Sequence, residues 1–175
     1  MPILDVIKTI NRMQAEGVVE RYAIGGAVGA TFYLEPVATI DVDIFITFKA
    51  QTGNLLITLQ PVFDYLKAQG CSMQGEYIAI AGWPVQFLPS TGPLVDEALH
   101  EAVTRDVEGA PARVFTAEHL AAIALQTGRA KDKARVLQFI ETGALDTARF
   151  QAILARHGLT GAWQRFEKQF LSDES

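Results

Sequence analysis

The stretch that most constrains this chain runs from Tyr22 to Phe48, YAIGGAVGATFYLEPVATIDVDIFITF, because it packs a glycine turn, a short helix and a carboxylate-bearing strand into one segment. Ile40–Phe48 is rich in β-branched and aromatic residues. The two-residue period of a strand puts Ile40, Val42, Ile44, Ile46 and Phe48 on one face and Asp41, Asp43, Phe45 and Thr47 on the other. Two carboxylates therefore project side by side from a strand whose reverse is wholly apolar. Like charges this close raise each other's pKa, and a bound divalent cation reverses the effect by favouring both ionised forms.

Upstream, Val18–Ile24 is a second short apolar run. Gly25-Gly26 follows it and leads into Ala27–Leu34, which can form a short helix before Glu35-Pro36 stops it. Two glycines between strand and helix let a ligand approach the backbone closely, and the unpaired N–H groups at the helix start favour phosphate. Magnesium prefers carboxylate and phosphate oxygens together, so a magnesium nucleotide is the ligand that suits both halves of the unit.

The order Gly25-Gly26, short helix, Thr39-Ile40-Asp41-Val42-Asp43 resembles the signature of the DNA polymerase beta-like nucleotidyltransferase superfamily. More narrowly, it is similar to small bacterial nucleotidyltransferase-like proteins related to abortive-infection and toxin–antitoxin nucleotidyltransferases. The resemblance implies that Asp41 and Asp43 hold the catalytic metals, with Mg2+ in a one- or two-ion site, and that Gly25, Gly26 and Thr39 contact the nucleotide. A dinucleotide-binding reading competes for the same glycines. However, GGAVGA lacks the G-x-G-x-x-G spacing, and the second acid two residues before Asp43 has no role in that scheme.

With 175 residues, 49% hydrophobic content and a mean hydropathy of +0.16, the chain is expected to form one well-cored domain spanning 1–175, sheet-bearing over 1–92 and mainly helical over 93–175. A net charge of −5 disfavours a broad nucleic-acid or anionic-membrane surface. The single Cys71 rules out an intramolecular disulfide. Asp5 and Lys8 interrupt the first apolar pattern, unlike a secretory leader, which leads to the expectation of a cytoplasmic protein. No apolar run approaches the roughly 20 residues a membrane helix needs.

Ile3, Val6, Ile7, Ile10 and Met13 predict a first helix ending at Gly17, and a second is expected over Pro61–Gln69. Strands near Tyr77–Ala81 and Val85–Leu88 flank Gly82-Trp83-Pro84 as a hairpin. The superfamily usually carries a third carboxylate on the latter strand, where this chain has Gln86. Either a nearby acid such as Glu76 or Asp96 replaces it, or two carboxylates suffice, or the chain binds nucleotide without turning it over. From Leu94 the period turns helical through Ala98 and Val103. An extended piece over Ala112–Phe115 follows, then helices over Ala117–Gln126 with Thr116 as N-cap, from Arg129 to Gly143, over Asp146–His157 and over Thr160–Phe170.

Within Arg129-Ala130-Lys131-Asp132-Lys133, the resemblance implies that Lys131 neutralises triphosphate charge, with Arg129 and Asp132, like Gln86, near the cleft. His100, His119 and His157 show no metal-ligand spacing and are expected at the surface or in caps. The expected architecture is α+β: a small mixed β-sheet of the nucleotidyltransferase type, covered on one face by helices and closed by a C-terminal helical segment. The implied activity is magnesium-dependent transfer of a nucleoside monophosphate from an NTP to a hydroxyl acceptor on a protein, RNA or small molecule. A non-catalytic nucleotide- or partner-binding module, toxin–antitoxin-like, is the alternative, favoured by Gln86.

Overall fold

The computed structural model describes residues 2–36, 41–49 and 58–172. The elements in order are α1 (Pro2–Ala15), β1 (Arg21–Gly25), α2 (Gly26–Ala30), β2 (Val42–Thr47), α3 (Gln60–Ala68), β3 (Ser72–Gln74), β4 (Tyr77–Ile80), β5 (Trp83–Pro89) and α4 (Pro93–Glu101). They continue with β6 (Val103–Val107), β7 (Ala110–Val114), α5 (Ala117–Thr127), α6 (Ala130–Glu141), α7 (Thr147–Arg156), α8 (Thr160–Phe166) and a π-helical turn over Glu167–Leu171.

The described strands form one mixed sheet in the order β3-β4-β5-β2-β1-β7-β6. β2 sits centrally, antiparallel to β1 and parallel to β5, and β1 runs parallel to β7. The alternation expected for the carboxylate strand holds over its described part. Val42, Ile44 and Ile46 are buried, while Asp43, Phe45 and Thr47 are half-buried.

The sequence led us to expect helices on one face, and they cover both. Burying the apolar reverse of β2 requires a second layer, and α1 and α3 supply it through Val6, Ile7, Ile10, Met13, Val62 and Leu66. Tyr22 ties this layer together: its hydroxyl donates to Asn11 Oδ1 at 2.6 Å and accepts from the Arg113 backbone N–H at 3.2 Å. On the other face, Ala23, Phe45 and Phe115 pack with α4, α5, α6 and α7 through Ala98, Leu120, Phe139 and Ile153.

Two local expectations are corrected. Val103 does not continue the helix of Leu94 and Ala98, but opens β6, which pairs antiparallel with β7 across Glu108-Gly109. β6 is an edge strand, and its Thr104, Arg105 and Asp106 are exposed, so it lacks the alternation that marks a half-buried strand. The short β3, Ser72-Met73-Gln74, is the opposite edge strand and is likewise exposed throughout, without alternation. The last predicted helix is α-helical only to Phe166 before widening into the π turn.

Candidate active site

The β1–α2 junction is built by what two side chains would displace. A Cβ at Gly25 would lie 2.5 Å from the Phe45 ring, and one at Gly26, which has φ +57, would overlap the Asp43 carboxylate. Only glycines allow β1 to turn into α2 directly against Asp43. Gly29 repeats the device one turn on, since a Cβ there would meet the Ile24 carbonyl at 2.9 Å, with Leu120 beside it.

Strand register aligns the site. Gly25 pairs with Asp43 and Asp43 with Gln86, while Ile78 pairs with Val85. One further step along β4 puts Tyr77 opposite Gln86. Gly25, Asp43, Gln86 and Tyr77 therefore form one row across four strands, and residues in one row share a face. Asp41 lies two residues from Asp43. The Asp43 carboxyl is pushed up to about 6, first because burial removes water from its charged form and then because Asp41 adds a like charge and a hydrogen bond; Lys131 and Arg135 pull the other way. Two neighbouring carboxylates, one of them half-buried, form a donor set that a divalent cation fits.

The opposing cations come from the start of α6. Gly128, left-handed at φ +72, ends α5 and swings the chain into α6, which Val136 and Phe139 anchor in the core. Asp132 is buried and folds back on its own helix start. It accepts from the Arg129 backbone N–H at 3.3 Å and from Arg129 Nε at 2.7 Å, and Arg135 lies 3.6 Å away. Arg129 senses Asp41 and Asp43 as well as Asp132. Lys131 is exposed.

The structure thus brings together Gly25, Gly26, Asp41, Asp43, Gln86, Arg129, Lys131 and Asp132; Thr39 lies outside the described residues. Arg135 and Tyr77 were missed. Arg135 stands four residues after Lys131, on the same helix face, a spacing that was legible in the sequence. Tyr77 could be found only from the strand register. Of the two substitutes considered for the third acid, Asp96 accepts from the Ser90 hydroxyl at 2.5 Å. Glu76, Asp41 and Asp43 all act on the Tyr77 hydroxyl and hold its pKa up, with Asp41 the largest influence.

A second cluster lies among the helices. His119, expected at the surface or in a cap, is fully buried, because the Thr116 N-cap, whose Oγ1 accepts from the His119 N–H at 3.1 Å, turns the first turn of α5 inward. Its Nε2 is 2.8 Å from Glu97 Oε2, and His157 Nε2, beyond α7, is 3.1 Å from the same oxygen. Burial would raise the Glu97 pKa, but hydrogen bonds from Arg156, His119 and His157 outweigh it and hold the carboxyl at about 2. The ligand atoms of Glu97, Glu101 and His119 lie within 4.8 Å of one another, so this group could hold a metal. His100 is exposed and meets Arg21.

The fold is similar to that of the antibiotic-resistance factor ANT(2″)-Ia in solution, with a TM-score of 0.53 at 15% identity over 97% of this chain and 99% of that one. It is similar to an antigenic nucleotidyltransferase-like protein from Paracoccidioides brasiliensis, with a TM-score of 0.52 at 15% identity over 91% and 90% of the two chains. It also matches crystalline ANT(2″)-Ia in complex with adenylyl-2″-tobramycin, with a TM-score of 0.52 at 14% identity over 92% and 97%. The chain therefore has a nucleotidyltransferase fold. No protein-family model matches it, and no curated protein is similar to it in sequence.

Proposed function

We propose that this protein is a nucleotidyltransferase that moves a nucleoside monophosphate from a magnesium-bound NTP to an acceptor hydroxyl, as the fold of its structural neighbours suggests. What carries the reading is the opposition of Asp43 on β2, and of Asp41 just before it, to Lys131 and Arg135 on α6 and Arg129 at its N-cap, with the Gly25–Gly26 turn between strand and helix against Asp43. Asp41 and Asp43 would hold magnesium, whose positive charge would stabilise the phosphate oxygens and the developing charge on the pyrophosphate.

This chain's own residues do the rest. Asp41 and Asp43 fix the ion at the sheet, and the glycine turn keeps side chains off the phosphates. Lys131 and Arg135 neutralise the outer phosphates, while Asp132 holds Arg129 in place at the helix start. We place this chemistry in the cytoplasm, where NTP and magnesium are at hand. Among the described residues, no helix is long and apolar enough to cross a membrane.

A second reading has a specific observation in its favour. Gln86 occupies the position next to Asp43, and a carboxamide is neither a base nor an anionic ligand. A non-catalytic nucleotide-binding module working with a partner protein, toxin–antitoxin-like, would tolerate it. Incubating the protein with α-labelled NTPs, magnesium and a cell extract separates the two. Label on an acceptor, abolished in Asp43→Asn, is expected for the transferase, and binding without label transfer would establish the module.

A further inference from the structure

We propose that Glu97, Glu101 and His119 form a second metal site that takes a transition ion of the zinc type. It is separate from the Asp41–Asp43 pair and does not depend on the nucleotidyl-transfer reading. Glu97 and Glu101 come from α4, one turn apart, and His119 from the first turn of α5. Two helices thus present three donors to one point.

The distances suit such an ion. Ligands about 2.1 Å from a tetrahedral centre lie roughly 3.4 Å from one another. His119 Nε2 is 2.8 Å from Glu97 Oε2 and 3.9 Å from Glu101 Oε2, and the three ligand atoms lie within 4.8 Å of one another. The two distances straddle the tetrahedral value. An imidazole with two carboxylates suits zinc better than magnesium or calcium, which prefer oxygen ligands alone, and leaves a fourth position for water.

The outer partners are those that ligating side chains need. His119 Nδ1 is held 2.8 Å from Thr116 Oγ1, which aims Nε2 into the cluster. Arg156 Nε donates to Glu97 Oε1 at 2.9 Å, leaving Oε2 for the ion, so this guanidinium orients the carboxylate rather than occupying the ligand atom. Arg149 lies 3.9 Å from Glu101 Oε2 and 3.6 Å from Glu118 Oε1, so Glu118 retains it when Glu101 turns to the ion. A cavity of about 410 Å³ lined by Glu101, Arg149, Ala152, Ile153 and Arg156 opens on the exposed Glu101 and provides a way in.

In the ion-free protein His119 Nε2 lies within hydrogen-bond distance of Glu97 Oε2; with an ion bound, the neutral imidazole would ligate through Nε2 and carry its one proton on Nδ1, where Thr116 Oγ1 accepts it, so that the ion would tie α4 to α5. The test uses tag-free full-length protein stripped with EDTA and titrated with zinc chloride, by calorimetry and thermal melting. One equivalent is expected to bind and raise Tm, and magnesium chloride is expected not to reproduce the shift. Glu101→Gln, on a side chain 41% exposed, and Glu97→Gln should each weaken zinc binding by about tenfold or more, both variants being checked for folding by circular dichroism. Asp41→Asn should leave it unchanged. Absence of a zinc-dependent shift in the parent would overturn the proposal. So would a shift that survives in full in both Glu101→Gln and Glu97→Gln, or one lost in Asp41→Asn, which would put the ion at the Asp41–Asp43 pair instead.

Discussion

Asp43 shows how far residue-level chemistry could be read before any coordinates. The two-residue period of Ile40–Phe48 was enough to set the carboxylates on one face and to anticipate their mutual repulsion. What the sequence could not supply was the burial, which is the larger cause, because it depends on how closely the turn at Gly26 packs on the Asp43 carboxylate. The folded carboxyl has a pKa of about 6 against an ordinary 3.8, so between those values the metal-free fold binds more protons than the unfolded chain. Stability contributed by this group is full below the lower value and is lost as pH rises through the upper one. We expect Asp43→Asn to stabilise the metal-free protein at pH 8 by on the order of 2 kcal/mol, with the advantage fading toward pH 4. Urea unfolding in EDTA at the two pH values measures it, and a variant no more stable than the parent at pH 8 would refute the strained pair.

At the scale of elements, α6 contributes most to the site. Its role was legible from Arg129-Ala130-Lys131-Asp132-Lys133, but the position of Arg135, four residues along the same face, was overlooked although the helix period contains it. β6 was not legible. An exposed edge strand with three consecutive polar residues carries no hydrophobic period, and only pairing with β7 defines it. His119 was misjudged for a related reason: a lone histidine in the first turn of a helix looks like a cap, whereas here Thr116 is the cap and the histidine packs inward. If the start of α6 faces the outer phosphates, Lys131→Ala should weaken triphosphate binding about tenfold and monophosphate binding much less, with little change in melting temperature because the side chain is exposed. Fluorescence titration with an NTP and its NMP compares the two; equal losses would place Lys131 away from the phosphates.

Across the whole molecule, the α+β class and the mixed sheet followed from one segment, because strand, glycine turn, helix and carboxylate strand in that order admit few arrangements. The helices on both faces did not follow, since which layer covers β2 depends on the distant α1 and α3. The resulting division sets a sheet carrying Asp43 and Gln86, with Asp41 at the entry to β2, against the cationic start of α6. Ligand that binds across this division should stabilise the fold as a unit. Calorimetric titration of NTP into the parent, Asp41→Asn and Asp43→Asn, with magnesium and again with EDTA, measures whether the carboxylate pair is the metal-nucleotide site. We predict magnesium-dependent NTP binding by the parent that falls by tenfold or more in each variant, both variants remaining folded; undiminished magnesium-dependent binding in both would contradict it.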